Sequence, residues 1–245
     1  MDLVRRAAAD LILGTACAGC ATPGVVLCET CRADIVPRPR ICWPHPAPME
    51  LLEPEPVVPV ASGPYDGILR SAILAFKEDG QHALLSALAT NLAASIAATS
   101  VTAEALVVVP MPSRRAAVRQ RGYDAVALLA DRAARMMRRR GIDVRVRRAL
   151  RHRGAVLDQA GLSASERRTN LYGALVARPL PPDRRSVVIV DDVVTTGASM
   201  AEAVAALRRS GARPEAVATV AATQKQISVG NPWRNGEQAY TVGSM

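Results

Sequence analysis

Two adjacent carboxylates, Asp191 and Asp192, close a run of β-branched residues in VVIVDDVVTTGAS (187 to 199), and a glycine-containing stretch rich in hydroxyls follows them directly. A buried-type strand ending in two acids puts charge at the carboxyl end of a sheet, where open α/β sheets take their ligands. The stretch Thr195, Thr196, Gly197, Ala198 and Ser199 then leads into the helical pattern ASMAEAVAALRRSGA. Backbone N–H groups at such a strand-to-helix turn, helped by the helix dipole, favour an anion, and a phosphate is the natural one. The carboxylates would repel that phosphate. They suit hydroxyls one sugar away, so loop and acids together describe a site for a 5-phosphoribosyl group. The sequence contains no G-x-x-x-x-G-K-[ST], which argues against a P-loop ATPase.

A second candidate lies in Pro110-Met111-Pro112-Ser113-Arg114-Arg115, with Arg119 and Arg121 shortly after. Prolines on both sides of Met111 fix a tight loop after the apolar run ALVVV, and arginines match phosphate oxygens two at a time. Met111, Arg114, Arg115, Arg119 and Arg121 are therefore candidates for a pyrophosphate site.

A third constellation is Cys17-x-x-Cys20 with Cys28-x-x-Cys31, two knuckles seven residues apart. Two such knuckles complete a tetrahedral thiolate shell, for which zinc is the first choice, and a closed shell holds a fold together without offering an open position to substrate. Cys42-Trp43-Pro44-His45 has ligand-like spacing but no second pair, and reads as a relic of a knuckle or as plain loop.

The elements that must carry these residues follow from the apolar pattern. Short apolar runs alternating with Ala-rich helical stretches predict an α/β fold, with a small N-terminal zinc module over 1–45, a Pro-rich linker and entry strand over 46–64, and the main domain over 65–223. Helices are expected over 65–80, with Ile68, Ala72, Ala75 and Phe76 inward and Gly80 as the stop, over 81–97 and over 122–140. Strands are expected over 105–110, 144–150, 186–192 and 216–222. The tail from 224 to 245 has no periodicity and is expected to be disordered. Proline density over 36–64 argues against any helix there.

Net charge is +9, and almost all of the basic residues are arginine, which suits phosphate, pyrophosphate or nucleic-acid partners. The opening residues superficially resemble a signal peptide, but the apolar segment is short and interrupted by Asp10. No stretch is long enough to span a bilayer. The expectation is a cytoplasmic protein without membrane contact.

In order along the chain, the four-cysteine pair, AFKEDG (75 to 80), PMPSRRAAVRQRGYD (110 to 124), Gln159-x-x-Leu162-Ser163 to Arg167-x-x-Asn170 and VVIVDDVVTTGAS resemble the ComF/GntX family of the type I phosphoribosyltransferase superfamily. The resemblance spans roughly 15 to 222. It implies the type I phosphoribosyltransferase fold, a central mostly parallel sheet flanked by helices, and transfer of phosphoribosyl from 5-phosphoribosyl 1-pyrophosphate (PRPP) with Mg²⁺ to an unidentified nitrogenous acceptor. Asp191 and Asp192 would be the catalytic pair on the ribose, residues 195–199 would bind the 5-phosphate, and the loop after 105–110 would hold pyrophosphate. A lid is implied over 151–165. This chain departs from the family's R-G-F-N-Q at Arg121-Gly122-Tyr123-Asp124-Ala125, and has Val156 where the family has Thr. The competence association of such relatives makes a non-catalytic, nucleic-acid-handling role the alternative, with few aromatics for base stacking counting against it. Acceptor identity and oligomeric state are not legible, which leaves a homodimer open.

Overall fold

The structure is a computed structural model and describes residues 16–99, 105–153, 173–181 and 185–223. The described chain is mixed α/β. A six-stranded sheet runs in the order β1 (Arg40–Ile41), β2 (Val58–Pro64), β8 (Pro214–Ala222), β7 (Ser186–Val194), β3 (Ala105–Pro110), β4 (Asp143–Val146). Only β1 is antiparallel to its neighbour. A separate hairpin pairs β5 (Leu150–His152) with β6 (Leu175–Ala177).

The sheet is covered on both faces, and the alternation of side chains along each strand shows how. Val108, Val188 and Val190 share one core with Phe76, Leu88, Leu92 and Leu129, from the helices α3 (Gly67–Lys77), α4 (Leu85–Ala97) and α6 (Ala125–Arg138). Val107, Val109, Val187 and Ile189 share the other with Leu51, Met200, Val204 and Leu207, from α2 (Met49–Leu52) and α7 (Ala198–Arg209), and with the β5–β6 hairpin. Burial on both sides explains why the middle of β7 is uninterruptedly apolar.

Several expectations meet the structure with a difference. β7 does not stop at Asp192 but pairs with β8 through Val194. The run 144–150 is split at Arg147-Arg148-Ala149 into β4 and β5, which belong to different sheets. A helix not anticipated from the sequence, α5 (Arg115–Arg121), ends at Gly122, whose φ of +81° caps it in the left-handed region.

The Pro-rich stretch carries a one-turn helix, α2, begun after Pro48, because a helix tolerates proline just before or at its first turn. It also ends in β2, whose five inner residues are buried between β1 and β8. Arg208 holds α2 against α7 by donating to the carbonyls of Glu50 and Glu55, both at 2.7 Å.

The cysteine knuckles and α1 (Glu29–Asp34) pack into the same core as α3 and α4. Asn91 makes the tie polar as well as apolar. Buried on α4, it donates to the carbonyl of Ile35 (3.1 Å) and accepts from Ser62 Oγ on β2 (2.7 Å). No helix among the described residues is long and apolar enough to cross a membrane. Residues 1–15, the interior of the implied lid (154–165), the segment from Gln159 to Asn170 and the tail over 224–245 lie outside the described residues.

Candidate functional site

The chain leaves β3 and β7, which are neighbours, in opposite directions: α6 leads from β3 to β4 at one edge, and α7 leads from β7 to β8 on the other side. The crevice beyond the carboxyl ends of such strands is where an open sheet binds ligands. The acidic residues and the hydroxyl-rich loop stand there because β7 delivers both within nine residues, from Asp191 to Ser199.

Alternation along β7 sends the two carboxylates to opposite faces. Asp192 shares the side of Val188 and Val190, is buried, and meets Lys77 from the last turn of α3, Nζ to Oδ2 at 2.6 Å. Asp191 keeps an intermediate exposure, and its Oδ1 accepts the backbone N–H of Asp192 at 2.8 Å. Burial and the neighbouring charge of Asp192 push the Asp191 carboxyl well above the usual carboxylate range, against the pull of Lys77. For Lys77, burial would depress the ammonium, but the carboxylates of Asp192 and Asp191 outweigh it and raise its pKa. Lys77 entered the sequence reading only as a letter in AFKEDG. Nothing in its local spacing marks it as a site residue, because its partner lies 115 positions away.

The loop turns at Gly197, whose φ is +76° and which serves as N-cap of α7. A Cβ there would lie 2.7 Å from Pro44 Cγ and 3.2 Å from Pro44 Cβ, so glycine is needed both for the turn and for the close approach. Thr195, Thr196 and Ser199 are exposed and Ala198 is half-buried; the hydroxyl of Thr196 accepts the Ala198 N–H at 3.4 Å. The loop therefore presents hydroxyls to solvent at the positive end of a twelve-residue helix. Trp43-Pro44-His45, which has no partner pair among the described residues with which to ligate a metal, supplies instead the proline that backs this loop.

Of the nominated pyrophosphate residues, Met111 is buried, and its N–H donates to Val190 at 2.8 Å, locking the loop onto β7. His152 Nε2 donates to the Pro112 carbonyl at 3.0 Å and ties the β5–β6 hairpin to the same loop. Arg114, Arg115 and Arg119 are exposed on α5 or just before it. Arg121 differs from them: its side chain is only 11% exposed, its Nη1 lies 3.8 Å from Glu78, and its Nε has no partner among the described residues. Asp124, where the resembling family has Asn, caps α6 through the Ala127 N–H (3.1 Å) and accepts from Ser113 Oγ (2.8 Å). The Asp124 carboxylate thus steadies the loop after β3.

The four cysteines are gathered far more tightly. Their Sγ atoms all lie within 4.8 Å of one another, and Cys20 and Cys28 stand 3.6 Å apart. An ion bound about 2.3 Å from four tetrahedral sulfurs would separate them by about 3.8 Å, so the group can hold a metal ion. The N–H of Cys28 donates to Cys17 Sγ (3.4 Å) and that of Cys31 to Cys28 Sγ (3.5 Å), bonds that orient the sulfurs and favour their thiolate form. For Cys17, burial opposes ionisation, but N–H groups of Cys28, Cys20 and Gly19 draw its pKa down to about 6. Burial and the adjacent sulfurs push Cys31 far up. Four thiolates therefore need a cation among them. Gly19 makes the packing possible, since a Cβ there would fall 2.6 Å from Cys31 Sγ and 2.9 Å from Ile68 on α3.

Compared with known proteins, the chain matches no family model and no curated protein.

Proposed function

We propose that this chain is a type I phosphoribosyltransferase of the ComF kind: it binds PRPP, transfers the 5-phosphoribosyl group to a nitrogenous acceptor, and carries a structural zinc ion on Cys17, Cys20, Cys28 and Cys31. The observation that carries the reading is the strand–loop–helix unit of β7 and α7, which joins two carboxylates to an anion-ready helix start at a switch point of a parallel sheet. The 5-phosphate would lie on the 195–199 loop, and Asp191 and Asp192 would accept the ribose hydroxyls. Their charge also favours the positive charge that develops at C1 as the bond to pyrophosphate breaks and the bond to the acceptor nitrogen forms. Mg²⁺ bound with PRPP would neutralise the leaving pyrophosphate, held largely by the substrate's own oxygens.

Calorimetric titration of PRPP with Mg²⁺ into the wild type and into Asp191→Asn/Asp192→Asn tests this. Binding by the wild type and its loss in the double variant is expected, and equal binding by both overturns the assignment. Release of pyrophosphate in a screen of nucleobases and small amines would then identify the acceptor.

A further inference from the structure

α4 and α6 leave a groove of about 410 Å³ between them on the solvent side of the helical layer, lined by His82, Leu85, Ser86, Leu128, Arg132 and Arg135. Its charge is one-sided. Arg132 and Arg135 stand three residues apart on α6, a spacing that puts both guanidinium groups on one face. Arg132 is held by a neutral group, donating from Nη2 to Ser86 Oγ at 2.9 Å, and its Nε is buried with no partner among the described residues. The side chain of Arg135 is exposed and has no partner among the described residues. The acid that borders the groove, Asp131, is already taken by Arg148 at 2.8 Å. His82 arrives from the turn before α4, its ring placed by Tyr123, with centroids 4.4 Å apart, and by an edge-on contact with Phe76. Tyr123 is anchored in turn by its hydroxyl, which donates to the Phe76 carbonyl. The imidazole is therefore in position before any ligand arrives.

We propose that this groove binds a phosphate monoester with a small apolar body, at a site distinct from the crevice beyond β3 and β7. The phosphate lies among His82, Arg132 and Arg135, and the organic part rests on Leu85 and Leu128. A phosphate fits better than a carboxylate: its near-double charge and three terminal oxygens can answer two guanidinium groups and an imidazole together, whereas a carboxylate brings one charge and two oxygens. The volume suits a small molecule and is too little for a folded partner. None of the lining residues belongs to the crevice, so the site stands whether or not the chain takes PRPP.

The test follows the ring protons of the chain's three histidines by NMR while phenyl phosphate, benzoate or phenol is titrated into the full chain. His82→Gln assigns the His82 signal. Phenyl phosphate is expected to shift that signal saturably, benzoate to do so only at much higher concentration, and phenol not at all. Arg132→Gln and Arg135→Gln should each weaken phenyl phosphate roughly tenfold, the loss of a charge-assisted hydrogen bond. Should Arg132→Gln perturb folding by releasing Ser86, Arg135→Gln carries the same comparison, because it breaks no bond within the described chain. Phenyl phosphate affinity unchanged in both arginine variants, or equal shifts with phenyl phosphate and phenol, overturns the site, and benzoate that matches phenyl phosphate overturns the ligand class. His45 adjoins Pro44 behind the 195–199 loop and reports on that loop separately. A shift at His45 with His82 unmoved removes the groove and leaves the phosphate reading of the loop. A shift at His82 alone, lost in Arg135→Gln, supports the groove and counts against a phosphate on the loop.

Discussion

The cysteine cluster and the crevice beyond β3 and β7 are both polar sites set in an apolar fold, yet they are assembled in different ways. The cluster draws every ligand from residues 17 to 31, and its geometry is closed by local turns and by N–H groups of the same knuckles. The crevice draws on α3 for Lys77, on the corner after β3 for Arg121, on β7 for its carboxylates and on the segment before α2 for Pro44 behind Gly197. A local site that holds an ion would fail as a unit on losing it. A composite site fails piecemeal, because each contributing element is held by its own core contacts.

The largest expected effect therefore falls on the cluster. Cys31 is buried in the core that also contains α3 and α4, so Cys31→Ser, or removal of the ion by a strong chelator, should cost about 5 kcal/mol or more and lower the melting temperature steeply. Thermal unfolding with and without chelator, alongside metal content, checks this. An unchanged melting curve after chelation would mean that the cysteines hold the fold without metal.

Next comes the turn of the 195–199 loop. Gly197→Ala meets both a left-handed backbone and the rigid ring of Pro44, and should cost about 3 kcal/mol, whereas Gly122→Ala has a similar φ with nothing within 4 Å of its Cβ and should cost about 1 kcal/mol. Urea unfolding of the two variants measures the difference. Equal costs would show that Pro44 yields freely and that its segment is not a fixed wall of the site.

Smaller again is the polar tie between the cysteine module and the sheet. Asn91→Ala leaves Ser62 Oγ and the Ile35 carbonyl without a buried partner and should cost about 2 kcal/mol, read in the same unfolding experiment. A loss of metal affinity in Asn91→Ala would sharpen the contrast, by showing that the cluster depends on α4 for more than packing.

The same contrast decides what was legible in the sequence. Cys17 to Cys31 could be read from spacing alone, because the distances that matter are distances along a short chain. VVIVDDVVTTGAS was equally legible as a strand, an acidic pair and a helix start, since hydrophobic pattern, glycine and helix onset are local signals. The pattern did not reveal that β7 extends past the acids to Val194, because threonine and glycine outweigh two more valines in any reading of where a strand stops. Nor could it reveal Lys77 or Pro44, whose roles depend on which elements the sheet order 1-2-8-7-3-4 brings together. The four arginines of the 110–121 segment look alike in sequence. Only the left-handed turn at Gly122 and the Tyr123–Phe76 bond separate Arg121, turned inward, from the three that face solvent.

The finest test lies between the two neighbouring aspartates. Asp191 has a folded-state pKa raised above its unfolded value, so the native state holds that proton more tightly. Its contribution to stability is present below the unfolded carboxylate pKa and is lost as pH rises through the folded value, which leaves ionised Asp191 a net cost at neutral pH. Asp191→Asn should therefore stabilise the protein at pH 7 by about 1 kcal/mol, the ordinary scale for relieving a functional site. It should also flatten the fall in stability between pH 4 and the folded pKa. Lys77 does not confound this window: its raised pKa keeps its contribution in place at every pH below its unfolded value and surrenders it only as pH rises through the folded one. Asp192→Asn should have the opposite sign, since it removes the partner of a half-buried ammonium. Urea unfolding from pH 4 to 8 on both variants reads the two signs directly. If both substitutions destabilise, the acidic pair is a structural feature of β7; if only Asp192→Asn does, Asp191 is kept against stability, as a residue kept for binding would be.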